Sequence, residues 1–317
     1  MRKVAILDDY QGAALKSADW SPVSANADIV VFSDHLDSED ALVERLHPFD
    51  ALCVMRERTP LTAEIIQRLP NLKFIGSNAP YNASIDLDAA RRQGVIVSGT
   101  GGRANGAPEL TWALILAAAK HIPAEHESIR SGGWQVGVGA DLEGSTLGLL
   151  GLGKVGARVA AVGKAFGMKV IAWSQNLTDE AAQAVGVQRV DKAALLRESD
   201  WLSVHLMLSD RTRGIIGASE LASMKASSWL INTSRGPLVD ESALVDALYR
   251  HTIAGAALDV FDTEPLPEGH PFRTLPNVLS TPHVGFVTHG TYKVFYEETV
   301  QNLIAWMNGS PLRVISQ

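Results

Sequence analysis

The sequence predicts an α/β protein built from two doubly wound parallel-sheet domains. Short segments that are apolar at nearly every position alternate with helix-like stretches, the pattern of strands buried on both faces. That alternation fills residues 4–97 and begins again at Thr146, so two sheets are expected instead of one long one. A glycine-rich turn, G-L-G-K-V-G at 151–156, directly follows the first strand of the second set.

In the first set, segments 4–7, 29–32, 51–55, 72–75 and 95–97 read as strands. Helical patterns at 39–46, 63–69 and 87–93 lie between them. Residues 108–129 read as one long helix, with Pro108 in the first turn, where its missing N–H costs nothing. The flanking pieces G-T-G-G-R at 99–103 and G-G-W-Q-V-G-V-G at 132–139 read as linkers or loops. The second set has strands at 146–150, 169–173, 201–204, 229–232, 254–258 and 278–279, with helices at 154–166 and 241–249. A last helix over 292–307 stops at Asn308-Gly309.

The composition, 46% apolar and 20% charged over 317 residues, is that of a globular chain with room for two cores. A net charge of −7 speaks against a nucleic-acid partner, which demands clustered Lys and Arg. The densest basic spot, Arg91-Arg92, reads as a solvated helix face. Cys53 is the only cysteine, which excludes an intrachain disulfide and fits a reducing compartment; in its apolar run it is expected to be buried and inert. The short N-terminal apolar run meets Asp8 and Asp9 at once, unlike a signal peptide, and no stretch reaches the ~18 apolar residues of a membrane span. A cytoplasmic protein with no membrane partner is expected, and no metal is assigned.

Three glycines at this spacing arise by chance about 0.2 times in a chain with this glycine content, so context decides. Here a strand precedes the turn, and a helix opens from it at Lys154 and Val155. Gly151 permits the tight turn, Gly153 a close approach to a pyrophosphate, and Gly156 close packing of helix on strand. The helix start adds N–H groups and a positive dipole end. The next strand ends at Ser174, followed by Gln175 and Asn176, where a carboxylate would select NAD. Ser174 and Asn176 suit either ribose form, so the cofactor is NAD(H) or NADP(H), with a slight lean to NAD.

Downstream stand Arg235 in N-T-S-R-G, Glu264 in D-V-F-D-T-E-P and His283 in T-P-H-V-G. Arg235 follows a buried strand, and its guanidinium suits a carboxylate and the carbonyl beside it. His283 is a proton donor for reduction of a keto acid, and the base in reverse. Glu264 would pair with it, fix its tautomer and keep it protonated. His205, just after the strand at 201–204, reads as a cofactor contact or a structural histidine.

These motifs, with V-H-L-M-L-S-D-R-T at 204–212 and I-N-T-S-R-G-P-L-V-D at 231–240, resemble those of the D-isomer-specific 2-hydroxyacid dehydrogenase family over nearly the whole chain. The resemblance implies two Rossmann-like domains with the active site in a cleft between them: 1–102 with 285–317 for substrate, flavodoxin-like, and 103–284 for the dinucleotide. It also implies that Asp259 orients the nicotinamide carboxamide, that Thr233 touches the same ring region, and that the protein is a homodimer. Asp259 has a second reading as a turn-capping carboxylate.

One loop departs from the family pattern. Where a glycine-rich loop would hold the substrate carboxylate, this chain has S-N-A-P-Y-N-A-S-I-D at 77–86. Ala79 and Tyr81 replace glycines, and Pro80 has no N–H to give. Arg56 and Arg58, in M-R-E-R-T, either favour a second acidic group on the substrate or lie at the surface.

The expected activity is an NAD(P)-dependent 2-hydroxyacid dehydrogenase or 2-ketoacid reductase acting on a small acid of glyoxylate or hydroxypyruvate type, or longer. Formate dehydrogenation is disfavoured because the resemblance would then place a glutamine where Glu264 stands. Two alternatives stay open: a nicotinamide-sensing protein like the family's corepressor relatives, and a short-form phosphoglycerate dehydrogenase, since the sequence ends at Gln317 soon after the last helix.

Overall fold

A computed structural model describes residues 1–103 and 105–315. The chain begins with β1 (Arg2–Ile6), α1 (Ser21–Ser24), β2 (Ala27–Val31), α2 (Glu39–Leu46), β3 (Ala51–Val54), α3 (Ala63–Gln67), β4 (Phe74–Ser77), α4 (Leu87–Arg92) and β5 (Ile96–Gly99). Then follow α5 (Gly106–Ala119), α6 (Ile122–Arg130), β6 (Thr146–Leu150), α7 (Lys154–Ala165), β7 (Lys169–Trp173), α8 (Asp179–Ala184), β8 (Gln188–Arg189), α9 (Lys192–Glu198) and β9 (Trp201–Val204). The last elements are α10 (Ala218–Ala222), β10 (Trp229–Asn232), α11 (Glu241–Tyr249), β11 (Gly255–Leu258), β12 (Val278–Ser280) and α12 (His289–Met307). They divide into two compact units, Met1–Arg103 with Val287–Gln317, and Ala104–Phe286. The last two residues of the expected substrate-domain segment, 316–317, lie outside the described residues.

The first unit is a five-stranded parallel sheet in the order β2-β1-β3-β4-β5. Its strands are apolar because both faces are covered: Leu52, Val54 and Ile75 pack with Leu46, Ile65, Ile66 and Leu69 of the helical layer. α12 returns to this sheet. Thr299 Oγ1 donates to Asn78 Oδ1 at 2.8 Å, Asn302 Nδ2 donates to the Gly99 carbonyl at 2.8 Å, and Trp306 stacks on Phe74 with centroids 5.2 Å apart. Cys53 is buried as expected, and desolvation pushes its thiol up to about 12.

The second unit is a seven-stranded parallel sheet, β12-β11-β10-β9-β6-β7-β8. Strand order reverses between β6 and β9, the topological switch point at which such sheets bind ligands beyond their carboxyl ends. One core, with Leu150, Leu202, Leu230 and Leu258, covers one face, and a second, with Leu147, Leu149, Ile231 and Ala257, covers the other.

Two local expectations are corrected. The helix expected over 108–129 is two helices, because His121 turns left-handed at φ 51° and Pro123 follows in the first turn of α6. Proline at 123 cannot donate to the Ala119 carbonyl, which takes the Ala140 N–H instead at 2.8 Å. The strand expected at 72–75 lies at Phe74–Ser77, and the two-residue edge strand β8 was not anticipated. No described helix is long and apolar enough to cross a membrane.

Candidate active site

Every candidate side chain of the second unit lies at or near the carboxyl end of a strand. After β6 the chain turns through Gly151 at φ 109°, a left-handed geometry natural to glycine. The Gly151 N–H donates to the Trp173 carbonyl at 2.9 Å, and a Cβ on Gly151 would sit 2.6 Å from the His205 carbonyl oxygen. A Cβ on Gly156 would sit 2.2 Å from the Gly151 carbonyl oxygen, whereas one on Gly153 would meet nothing within 4 Å. Two glycines thus permit close backbone packing and the middle one leaves open space. Lys154, Val155 and Gly156 form the first helical turn, whose N–H groups a helix leaves without internal partners. This cradle fits a dinucleotide pyrophosphate.

His205, straight after β9, backs this turn. Its backbone N–H donates to the Leu150 carbonyl at 2.8 Å and its Nε2 lies 2.9 Å from Ser203 Oγ. Nδ1 is buried and has no hydrogen-bond partner among the described residues. Desolvation holds the imidazole down at about 4, so it is neutral at physiological pH. At the end of β7, Ser174 is half-buried and Asn176 exposed.

β10, β11 and β12 are neighbours in register, with Asn232 beside Leu258 and Leu258 beside Ser280. This adjacency brings together three motifs far apart in sequence. After β10, Asn232 Nδ2 donates to the Arg235 carbonyl at 2.9 Å and Ser234 Oγ to the Val204 carbonyl at 2.8 Å, which fixes the turn that carries Arg235. Arg235 Nη1 donates to the Ser234 carbonyl at 2.8 Å. Thr233 Oγ1 lies 2.8 Å from Thr111 Oγ1 of α5.

After β11, Glu264 Oε1 accepts the Phe261 N–H at 3.0 Å and Oε2 meets His283 Nδ1 at 2.6 Å. Burial would raise the Glu264 carboxyl. The hydrogen bond with His283, the His283 charge, the Phe261 N–H and the Arg235 charge together outweigh it and hold the group below the usual carboxylate range. His283 itself is left-handed at φ 51° and stands edge-on to Phe286, with centroids 5.5 Å apart.

Asp259 is tied to the turn that bears His283. Oδ1 accepts the Thr281 hydroxyl at 2.6 Å and the Val284 N–H at 2.8 Å, while Oδ2 accepts the Gly285 N–H at 2.9 Å. Burial raises this carboxyl, and these three bonds oppose the rise. The capping reading describes these contacts, and Oδ2 keeps a further lone pair for a ligand.

Gly236 was passed over in the sequence as a neighbour of Arg235. A Cβ there would lie 2.1 Å from the Phe261 carbonyl carbon and 2.6 Å from the Asp262 N, so the arginine turn and the Glu264 loop can touch only through glycine. Thr111, in mid-helix, gave no sequence signal, and Thr281 stood only as the first residue of the His283 motif.

The remaining candidates belong to the first unit. Arg56 is left-handed at φ 54°, and its carbonyl accepts from Asn82 Nδ2 at 2.5 Å. Arg58 stacks over Tyr10 at 4.7 Å and donates to the Asp8 carbonyl at 3.1 Å. Ala79 is buried and its carbonyl takes the Thr100 N–H at 3.1 Å, while Pro80 and Tyr81 are exposed.

A family profile described as "D-isomer specific 2-hydroxyacid dehydrogenase, NAD binding domain" matches residues 112–285, more than half of the chain. The chain belongs to this family. It is 39% identical over 281 residues to a glyoxylate reductase of Aeropyrum pernix, covering 85% of this chain and 83% of the relative. It is 38% identical over 260 residues to a D-3-phosphoglycerate dehydrogenase of Methanocaldococcus jannaschii, covering 81% of this chain and 49% of that one. Among solved structures, a phosphoglycerate oxidoreductase of Vibrio cholerae superposes with a TM-score of 0.93 at 39% identity, over 98% of this chain and 100% of that one. The 2-hydroxyacid dehydrogenase fold therefore holds throughout, and the protein is an NAD-dependent oxidoreductase of the CH–OH group.

Proposed function

We propose that this dehydrogenase reduces a small 2-keto acid to the D-2-hydroxy acid, with His283 as proton donor. The observation that carries the reading is the 2.6 Å contact of His283 Nδ1 with Glu264. It commits Nδ1 to the carboxylate and leaves Nε2 to give a proton to the 2-keto oxygen or take it back. Arg235, whose charge is felt by Glu264, holds the substrate carboxylate. A bound nicotinamide supplies the hydride to C2 on reduction and accepts it on oxidation. Gly151, Gly153, Lys154, Val155 and Gly156 cradle its pyrophosphate, Thr233 and Asp259 serve the nicotinamide end, and His205, behind the phosphate turn, is a further cofactor contact. In the first unit, Arg56 and the Ala79-Pro80-Tyr81 stretch are assigned to substrate binding.

The similarity to a glyoxylate reductase supports glyoxylate or hydroxypyruvate as substrate. The similarity to phosphoglycerate dehydrogenases supports a second candidate, 3-phosphoglycerate oxidation. A screen of glyoxylate, hydroxypyruvate, pyruvate and longer 2-keto acids with NADH and NADPH, beside 3-phosphoglycerate with NAD and NADP, separates them. His283→Ala is expected to lose turnover by about 10²- to 10⁴-fold while cofactor binding survives. An active variant would remove the assigned role, and no turnover by the parent with any substrate would favour a nicotinamide sensor.

A homodimer is the proposed assembly. The loop after α6 carries Trp134 (72% exposed) and Val138 (94% exposed), beside exposed Ile122, Ile129 and Val136. Val138 lines a cavity of about 500 Å³ whose wall includes Trp201 and Trp229. An apolar projection next to an aromatic recess suits a self-complementary two-fold contact. Trp134→Glu with Val138→Asp should give monomers by sedimentation. The free thiol of Cys53 and the net charge of −7 support a reducing, cytoplasmic setting with no nucleic-acid partner.

A further inference from the structure

We infer that Glu241, together with His270, is a positioning residue for Glu264: the pair holds closed the neck of the loop from which Glu264 reaches His283. This role presupposes His283 as proton donor and adds two residues outside the Arg235, Glu264 and His283 set.

The loop after β11 leaves the core at Phe261 and rejoins it at Phe272, two buried rings with centroids 6.3 Å apart. Residues 262–270 between them form no helix or strand, and Glu264 stands in this irregular stretch. A side chain on such a loop keeps its place only where the loop ends are fixed. Glu241, the first residue of α11, reaches both ends. Its Oε2 accepts the Asp262 N–H at 3.2 Å, and its Oε1 meets His270 Nε2 at 3.1 Å. His270 Nδ1 accepts the Phe272 N–H at 3.2 Å, so the ring proton sits on Nε2 and points at the carboxylate. Both side chains are partly buried. On the far side of the loop, Arg273 donates to the Pro267 carbonyl at 2.8 Å and to the Leu266 carbonyl.

Short paths lead from the neck to the His283–Glu264 contact. Asp262 directly follows Phe261, whose N–H donates to Glu264 Oε1 at 3.0 Å. Glu241 lies on the same segment as Arg235 and Gly236, and Gly236 abuts the Phe261 carbonyl and the Asp262 N. The Arg235 segment thus meets the Glu264 loop twice, once through the bare backbone of Gly236 and once through the Glu241 carboxylate. Without that carboxylate the neck can open, the Phe261 N–H shifts, and Glu264 no longer orients the imidazole. The loss falls on the proton-transfer step and not on binding.

Glu241→Ala, His270→Asn, Glu264→Gln, and Glu241→Ala combined with Glu264→Gln are compared with the wild type and His283→Ala. Steady-state kinetics use glyoxylate and hydroxypyruvate with NADH, and circular dichroism checks folding. Proton NMR follows the downfield imidazole N–H that His283→Ala removes. Glu241→Ala should lower kcat about tenfold, keep both KM values within about threefold and broaden that resonance. His270→Asn, whose amide can still cap the Phe272 N–H, should lower kcat about threefold and serves where the alanine variant does not fold. In the Glu264→Gln background, Glu241→Ala should cost less than about twofold more, because the two act in series. A folded variant with kcat within about twofold of wild type and an intact resonance, a change in KM alone, or a further loss of about tenfold on top of Glu264→Gln would overturn the inference. If the wild type turns over neither acid, the reductase reading fails, and the resonance alone decides the positioning role: its persistence in Glu241→Ala would overturn that role too.

Discussion

His283 Nδ1 and Glu264 Oε2 lie 2.6 Å apart, a contact that joins the loops following the neighbouring strands β11 and β12. The carboxylate orients the ring through Nδ1, so its charge and its shape can be separated by an isosteric change. Glu264→Gln should lower kcat about 10- to 100-fold with little change in cofactor affinity. Steady-state kinetics beside a binding titration checks this, and a variant with wild-type kcat would show that the contact is structural only.

Asp259 holds the loop in which His283 sits at φ 51°. Asn at this position keeps the shape but loses the charge behind three hydrogen bonds. Asp259→Asn should cost about 1–3 kcal/mol in stability and depress kcat as the loop loosens. Denaturant unfolding measures the first effect, and kinetics on the folded fraction the second.

Gly236 lies hard against the backbone of Phe261 and Asp262. Its Ala variant would place a methyl 2.1 Å from the Phe261 carbonyl carbon, a clash that only a backbone shift relieves. Loss of about 3 kcal/mol, or failure to accumulate as folded protein, is expected. Normal melting and activity of Gly236→Ala would contradict the close approach of the two loops.

Acid should destabilise the fold, and two groups agree in sign. Glu264 is held below the ordinary carboxylate range, so its stabilisation is present above the unfolded value and is lost as pH falls through the folded one. His205 is depressed from 6.5 to about 4, so between these values the unfolded chain takes a proton that the folded one refuses. Stability therefore falls as pH drops through that window, by on the order of 2–3 kcal/mol from His205 alone. Urea midpoints at pH 7 and pH 4.5 test this, and the slope should shrink in His205→Asn.

The Cys53 thiol is buried and pushed up to about 12, which leaves almost no thiolate at pH 8. A thiol reagent should label it only after denaturation. Rapid labelling of the native protein would show that β3 opens readily.

The central strands were legible because their residues are apolar on both faces, and 146–150, 169–173, 201–204 and 229–232 emerged with the expected ends. β8 was not, since Gln188-Arg189 is polar, exposed and paired on one side only. The break between α5 and α6 was signalled by Pro123, but the apolar run before it masked the signal. In the site, the side chains announced themselves through their motifs and Glu264 does meet His283. Asp259 makes the capping contacts that its second reading anticipated, whereas the clearance at Gly236 depends on register between strands distant in sequence, which no local pattern encodes.

The return of α12 has a consequence for synthesis. The β1–β5 sheet needs Thr299 on Asn78, Asn302 on Gly99 and Trp306 on Phe74, all from the end of the chain. On the ribosome the N-terminal strands thus emerge first yet finish last, while the intervening unit, continuous in sequence, has every strand of its sheet before residue 289 is made. Birth order and completion order are reversed, and the unfinished strands are the stretch a chaperone would meet.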